Sequence, residues 1–443
     1  MTPPAAQRPH VAWALLGLLL LYYTVAIIDR NAISMVVDPI RAELDISDVQ
    51  ISLILGLAFS STYSTFGIFM GWLVDRVPRR WVICGGMVLW GAAETACGLA
   101  ASFMGLFGAR MFVGLGESAL MPAAHSLISD SFARKDLAKA MSVYSMGSVI
   151  GGGLALVIGG AAVDYLSTRG GMSFPFIGHA QPWQSVFLLT GLPTILLAFL
   201  IFLVPEPARR RQAVADGPSA RPRIGFAGFM RRNWRLWVIF FGVFGVMNVV
   251  NGAMIYWQPA YMSRFFHWRP ADYGMALGLI SAVAGAAGML FSGWLVDRMY
   301  AGGQKDAPLR YYFWALIASA PLVITAFLAG NVWVFLGLIW VAKFAMINFL
   351  GFASAAVQLT TPREFRGRAA GIFTTIVVSL VGAVAGPVIP AAITQYILHD
   401  ETQIGLALAI TVAVCVPIAL ITIVWGRKHF RRAIAEAELD LDG

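Results

Sequence analysis

Apolar runs long enough to span a bilayer, about 20 residues each, recur twelve times along the chain and are cut by Pro, Gly or charge clusters. They lie at 11–36, 50–73, 81–101, 105–129, 137–163, 183–204, 235–260, 272–296, 311–329, 331–358, 366–395 and 402–425. One polar interval stands apart from the short loops: 205–234 is rich in Pro, Gly and Arg. The pattern predicts an all-α membrane protein with twelve transmembrane helices in two halves. The expected layout is a six-helix bundle over 1–204, a cytoplasmic linker over 205–234, a second bundle over 235–425 and a cytoplasmic tail over 426–443. The tail, basic first and acidic last, reads either as a short amphipathic surface helix or as a frayed end.

Composition sharpens the class. Of 443 residues, 58% are hydrophobic and 12% charged, with a mean hydropathy of +0.73. A soluble domain carries about twice that charge, so a soluble enzyme, a nucleic-acid binder and a disulfide scaffold are all excluded. The net charge of +9 follows topology instead. With both termini cytoplasmic, 25 of the 32 Lys and Arg residues fall in cytoplasmic segments, and outer loops hold only Arg41, Arg169, Arg264 and Arg269. The first ten residues are too short and proline-rich for a cleaved leader, so the first run is expected to stay. Cys84, Cys97 and Cys415 sit in apolar runs without ligand spacing, so no metal site is expected.

The hexapeptide Gly-Trp-Leu-Val-Asp-Arg occurs at 71–76 and again at 293–298. Each copy closes the second helix of its half, which points to a duplicated six-helix unit and to a transporter built from parallel repeats. The stretch Gly71-Trp-Leu-Val-Asp75-Arg76-Val-Pro-Arg79-Arg80 resembles the helix 2–3 loop signature of the major facilitator superfamily, with Pro78 where that family usually has glycine. Arg110-x-x-x-Gly114-x-Gly116-Glu117 resembles its helix-four motif. Within the superfamily, Ile27-Ile-Asp29-Arg30-Asn31, Gly114-Leu-Gly-Glu117-Ser-Ala and Ser126-Leu-Ile-Ser-Asp130-Ser-Phe132 look most like the spinster family. Its eukaryotic members carry lysolipids and sphingoid phosphates, although a Tyr or Asn commonly precedes the Asp-Arg pair there. The anion:cation symporters share the Asp-Arg pair and the helix-four carboxylate. The resemblance implies the major facilitator fold, with two pseudo-symmetric six-helix bundles; no GxSxG, HExxH or P-loop pattern occurs, so no enzymatic activity is expected.

Charges inside apolar helices carry the functional reading, because an isolated one costs at least about 2.5 kcal/mol at mid-bilayer. Asp29 and Arg30 are adjacent on helix one, point about 100° apart and each need a partner on another helix. Arg110 and Glu117 lie on one face of helix four, about 10 Å apart along its axis. Gly114 and Gly116 between them let a neighbour approach closely. These four form an expected neutral set, two positive and two negative. Burial raises a carboxylate's affinity for a proton and a nearby guanidinium lowers it. A carboxylate that changes partners between states therefore couples proton movement to transport. Asp29 and Glu117 are the proton-coupling candidates, with static inter-helix ion pairs as the alternative. Arg30 and Arg110 suit an anionic head group.

Weaker candidates accompany them. Glu94 reads either as a second proton site or as a carboxylate satisfied by a hydroxyl. His125 reads as a hydrogen-bonded structural histidine ahead of a relay. Lys343, the intramembrane charge of the second half, reads as an anion contact or a snorkelling side chain. Asn248 and Trp257 on helix seven are substrate-binding candidates, and Pro259 marks an expected break and hinge. The family resemblance assigns Gly71, Asp75, Arg76, Arg79 and Arg80 to gating, with Asp297 and Arg298 repeating the device. A solvated loop accounts for Arg79 and Arg80 well, but not for Asp75.

The sum is a proton-coupled secondary transporter working by alternating access on an amphipathic organic anion, a lysolipid or sphingoid-type molecule. The alternative is a proton symporter of a small carboxylate such as a sugar acid. No cofactor beyond the proton gradient and no nucleic acid is expected. The partners are a small-molecule or lipid substrate and the membrane lipids around a monomer in a multi-pass plasma membrane, a bacterial inner membrane.

Overall fold

The computed structural model describes residues 9–175, 177–208, 225–346, 353, 356–357, 360–361 and 365–442. Twelve long helical runs follow one another among them. The first six are α1 (Pro9–Ala32), α2 (Asp48–Arg76), α3 (Arg79–Gly98), α4 (Phe103–Glu117, continued by Leu120–Ser131), α5 (Arg134–Thr168) and α6 (Pro182–Leu203). The rest are α7 (Trp234–Arg264), α8 (Pro270–Ala301), α9 (Ala307–Leu328), α10 (Val332–Met346), α11 (Arg366–Ile372 onward to Leu398) and α12 (Ile404–Asp442). Eight are long and apolar enough to cross a membrane, and Val332–Met346 and Ala383–Leu398 are shorter apolar helices.

Local chemistry sets the starts. Ser47 and Gln50 form a reciprocal capping box at the head of α2. The Ser102 hydroxyl accepts from the Gly105 N–H at the head of α4. A π turn, Ile54–Ala58, interrupts α2 just before Phe59, and such turns concentrate at functional positions.

Two compact units form. Unit one comprises Met1–Gln212 with Ile255–Ala282, and unit two Ala213–Met254 with Val283–Gly443. The C-terminal part of α7 and the N-terminal part of α8 thus belong to unit one. Within it α1 packs on α5, α3 on α4 and α6, and α2 on α4. In unit two α9 packs on α10 and α12, which repeats the α3 pattern six helices later. Close approach depends on small residues. A Cβ on Gly116 would lie 2.6 Å from the Gly86 carbonyl oxygen, and one on Gly114 2.3 Å from that of Phe59. The expectation that these two glycines admit a neighbouring helix is met by α3 and α2.

Three features depart from the sequence reading. Pro259 does not break α7, which continues to Arg264. A mid-helix proline removes one hydrogen bond, and here fully buried Tyr261 and Met262 hold the next turn in place. The tail is neither a separate surface helix nor frayed, because α12 runs on to Asp442. Gly426 makes room for Ile239, Phe430 and Ile434 are buried, and the Arg427 Nε donates to Asp306 Oδ2 at 2.8 Å. The loop between α5 and α6 also holds a small antiparallel hairpin, β1 (Met172–Phe174) with β2 (Gly178–Ala180), entered through left-handed Gly170 and Gly171.

Candidate functional site

Unit one gathers its intramembrane charges into one cluster. Asp29 and Arg30 come from α1, Glu94 from α3, and Arg110 and Glu117 from α4. The pairing runs between helices, as adjacency on α1 requires. The Arg30 Nη2 pairs with Glu117 Oε1. The Arg110 Nη1 donates to Glu94 Oε2 at 3.3 Å, with both side chains fully buried. Asp29 is buried beside Thr194 of α6, and its Oδ2 has no partner among the described residues.

This arrangement corrects the expected neutral foursome. Glu94 joins the set, so three carboxylates face two guanidinium groups. One Glu94 oxygen, Oε2, is met by Arg110 rather than by a hydroxyl. With every group ionised the cluster carries one excess negative charge, which a single proton would cancel. Several polar atoms around it lack partners among the described residues: Asp29 Oδ2, Glu94 Oε1, Glu117 Oε2, Arg30 Nε, Arg110 Nε and Nη2, Trp90 Nε1 and the Tyr144 hydroxyl. Buried polar atoms are normally paired, so this concentration sets the cluster apart from the rest of the buried core.

Aromatic rings on α2 complete the site. Arg30 lies over Phe59 at 4.6 Å and Tyr63 at 4.9 Å, and Arg110 faces Phe59 at 5.8 Å. Tyr256 of α7 lies within electrostatic reach of Arg30, Arg110 and Glu117. Arg30 is the most accessible of the five charged members, with 25% of its side chain exposed. Sequence reading passed over Phe59, Tyr63 and Thr194. One signal was available: the hydroxyl-rich run Ser60-Ser-Thr-Tyr63-Ser64 inside an apolar helix.

Other candidates lie elsewhere. Trp257 is fully buried beneath Arg264, 5.4 Å from ring to guanidinium. Asn248 is buried in unit two and donates to the Val377 carbonyl at 3.4 Å. Lys343 is half-buried on α10. His125 is exposed and meets the Tyr144 ring edge-on at 5.6 Å.

The loop signature also differs from expectation. Asp75 is exposed and Arg79 is buried. The Arg79 guanidinium binds Asp130, Glu206 at 2.9 Å, Ser126 at 3.2 Å and the Pro207 carbonyl at 2.7 Å, and its backbone N–H also reaches Glu206. Arg80 reaches the Val204 carbonyl at 3.3 Å. Burial pushes the Glu206 carboxyl up, but hydrogen bonds from Arg79 outweigh it and hold the group below the usual carboxylate range. Gly71 has open space where a Cβ would stand. Arg76 stacks over Trp72 at 4.1 Å, and exposed Arg298 over Trp294 at 5.6 Å, beside exposed Asp297. The duplicated hexapeptide thus builds the same cation–π contact twice.

A third cluster lies at the end of α7 within unit one. Arg264 donates to Asp38 at 2.8 Å and to both Asp48 oxygens at 2.9 Å, and Arg41 reaches Asp48 at 3.0 Å. Arg41 and Arg264 counted only toward topology in the sequence. Among the described residues, no three His, Cys, Asp or Glu side chains gather to hold a metal ion.

Comparison with known proteins matches this geometry to relatives. An MFS-type efflux pump of Mycolicibacterium smegmatis is 24% identical over 436 residues, covering 97% of this chain and 95% of that protein. Protein spinster of Drosophila melanogaster is 24% identical over 347 residues, covering 74% and 54% respectively. A crystal structure of a bacterial homolog of the human lysosomal transporter spinster, inward-facing and unoccupied, superposes with a TM-score of 0.77 at 24% identity, covering 98% of this chain and 99% of that one. Residues 19–387 match the sequence profile of the Major Facilitator Superfamily, and with its twelve helical runs and duplicated loop motif the chain is a member of that superfamily of membrane transporters.

Proposed function

We propose that this transporter couples an amphipathic organic anion, of lysolipid or sphingoid type, to proton movement. The observation that carries the reading is the unbalanced cluster of Asp29, Glu94 and Glu117 against Arg30 and Arg110. One proton neutralises it; an anion bound at Arg30 pulls that guanidinium from Glu117 and strengthens the demand for a proton. Moving one proton through 100 mV supplies about 2.3 kcal/mol, about fifty-fold in concentration. Phe59 and Tyr63 beside Arg30 offer apolar faces next to the charge, which suits a head group attached to a chain better than a small sugar acid. Similarity to spinster proteins stands beside similarity to a probable L-galactonate transporter and a hexuronate transporter of Escherichia coli, so the choice between the two substrates rests on those apolar faces. The further substrate contacts we assign are Arg110 and Trp257 in unit one and Asn248 and Lys343 in unit two. We assign gating to Gly71, Asp75, Arg76, Asp297 and Arg298, with Arg79 and Arg80 anchoring the loop behind them. The chain acts as a monomer with both termini cytoplasmic, in a bacterial inner membrane, and needs no cofactor beyond the proton gradient.

Proteoliposomes with an imposed pH gradient test this. Lysophosphatidic acid should accumulate in the wild type, and Asp29→Asn, Glu94→Gln or Glu117→Gln should abolish gradient-driven accumulation while leaving exchange of preloaded substrate. Equal accumulation by wild type and all three variants sinks the coupling. Preference for glucuronate over the lysolipid would transfer the site to the small-carboxylate reading.

A further inference from the structure

Within unit two the head of α7 packs against α12 where the apolar run of α12 ends. Small residues close the seam: a Cβ on Gly426 would run into Ile239, and one on Gly242 would lie 2.7 Å from the Thr422 hydroxyl. Aromatic and basic groups then follow one another across it. The Trp234 and Trp425 rings lie 6.3 Å apart, and Trp425 lies 5.2 Å from the His429 ring. The Arg235 guanidinium stands over Trp234 at 5.6 Å. Arg235 and Arg432 both act electrostatically on His429, so cations from the two helices flank one imidazole.

These cations are unspent. Arg235 and Arg432 are exposed, and among the described residues no carboxylate pairs with either of them or with His429. Nearby Arg427 differs, because its Nε donates to buried Asp306 at 2.8 Å. Along α12, Ile418, Ile421, Trp425, His429 and Arg432 recur at intervals of three or four and share one face. Ile418, Ile421 and Trp425 are exposed on that face, and Val238 is exposed one turn into α7 from Trp234. The face therefore passes from apolar to aromatic to basic as it leaves the hydrocarbon region.

We propose that this seam binds one anionic phospholipid. The phosphate sits between Arg235 and Arg432 beside His429, the glycerol against Trp234 and Trp425, and an acyl chain along Ile421 and Ile418. Tryptophans mark head-group level, and basic groups just beyond a spanning segment attract anionic lipids. Two guanidinium forks without carboxylate partners favour a net negative head group over a zwitterionic one. The exposed isoleucines below the rings serve a ligand with a chain, which free phosphate lacks. The site is independent of the transport reading and of the orientation in the membrane.

Native mass spectrometry of the full chain, titrated with phosphatidylglycerol and with phosphatidylcholine, tests this without reference to flux. Phosphatidylglycerol should bind more tightly, and excess inorganic phosphate should not displace it. Arg235→Gln and Arg432→Gln should each weaken it about fivefold, and together about twenty-five-fold. Trp425→Ala, which keeps every charge, should also weaken retention. Arg431 is exposed but lies about 120° round α12 from Trp425, so Arg431→Gln should weaken binding much less. Equal affinity for the two lipids overturns the proposal, as does retention unchanged by Trp425→Ala. A loss with Arg431→Gln equal to that with Arg432→Gln reduces the effect to net charge and overturns it too, and displacement by inorganic phosphate makes the site one for a free anion instead.

Discussion

Arg79 shows how much one side chain can hold. Its guanidinium serves Asp130, Glu206, Ser126 and the Pro207 carbonyl, so removing it takes the buried cation from two carboxylates at once. Among ion pairs of the described residues, Glu206 then keeps only the looser Arg80 contact at 3.5 Å. Breaking a buried pair costs about 3–5 kcal/mol; Arg79→Ala should therefore cause a large fall in the melting temperature in detergent, whereas Arg80→Ala, at the rim, should change it little. The same cluster sets a pH response. Glu206 ionises in the fold below its unfolded value of about 4.3. Its pairing therefore contributes stability above that pH and loses it as pH falls through the depressed value. Acid melting followed below about pH 4.3 should be shallower in Glu206→Gln, and an identical slope would remove Glu206 from this role. The residues of this cluster were visible in the sequence as two separate signatures, one around Arg79 and one from Ser126 to Asp130. Their meeting was not, because it is a tertiary contact that neither helix's periodicity encodes. Glu94 was undervalued for the same reason: its arginine lies on another helix.

At the level of helices, small residues decide which faces touch. Gly116 and Gly86 leave no room for a Cβ at the α3–α4 contact that brings Glu94 to Arg110. Gly116→Val should cost roughly 1–3 kcal/mol by overpacking and should also lower transport by separating that pair. A variant with normal melting and normal flux would show the contact to be slack. The helix count and the small-residue seams were legible because membrane thickness and close packing leave direct marks on composition. The π turn before Phe59, the unbroken passage through Pro259 and the continuation of α12 past Gly426 were not. Each depends on burial by neighbours, and a Pro or Gly signals a local weakness that packing then overrides.

For the whole molecule, the contact between α5 and α8 within unit one gives a direct handle on cycling. A Cβ on Gly153 would lie 3.3 Å from that of Ala282, near disulfide range. Oxidised Gly153→Cys/Ala282→Cys should stop transport, with reductant restoring it; undiminished flux after complete cross-linking would show that this contact persists through the cycle. Beside it, Arg264 joins the end of α7 to Asp38 and Asp48, and Arg264→Gln should speed opening there, measured as faster labelling of a cysteine at Ser263. The Arg79 anchor has a further consequence, for biogenesis. Glu206 leaves the ribosome 127 residues after Arg79, so a nascent chain holds a buried cation short of one counter-ion until the sixth helix has been made. A chain stopped before Glu206 should be clipped by membrane proteases faster than one stopped just after Pro207, which would make the end of the first bundle a checkpoint in synthesis.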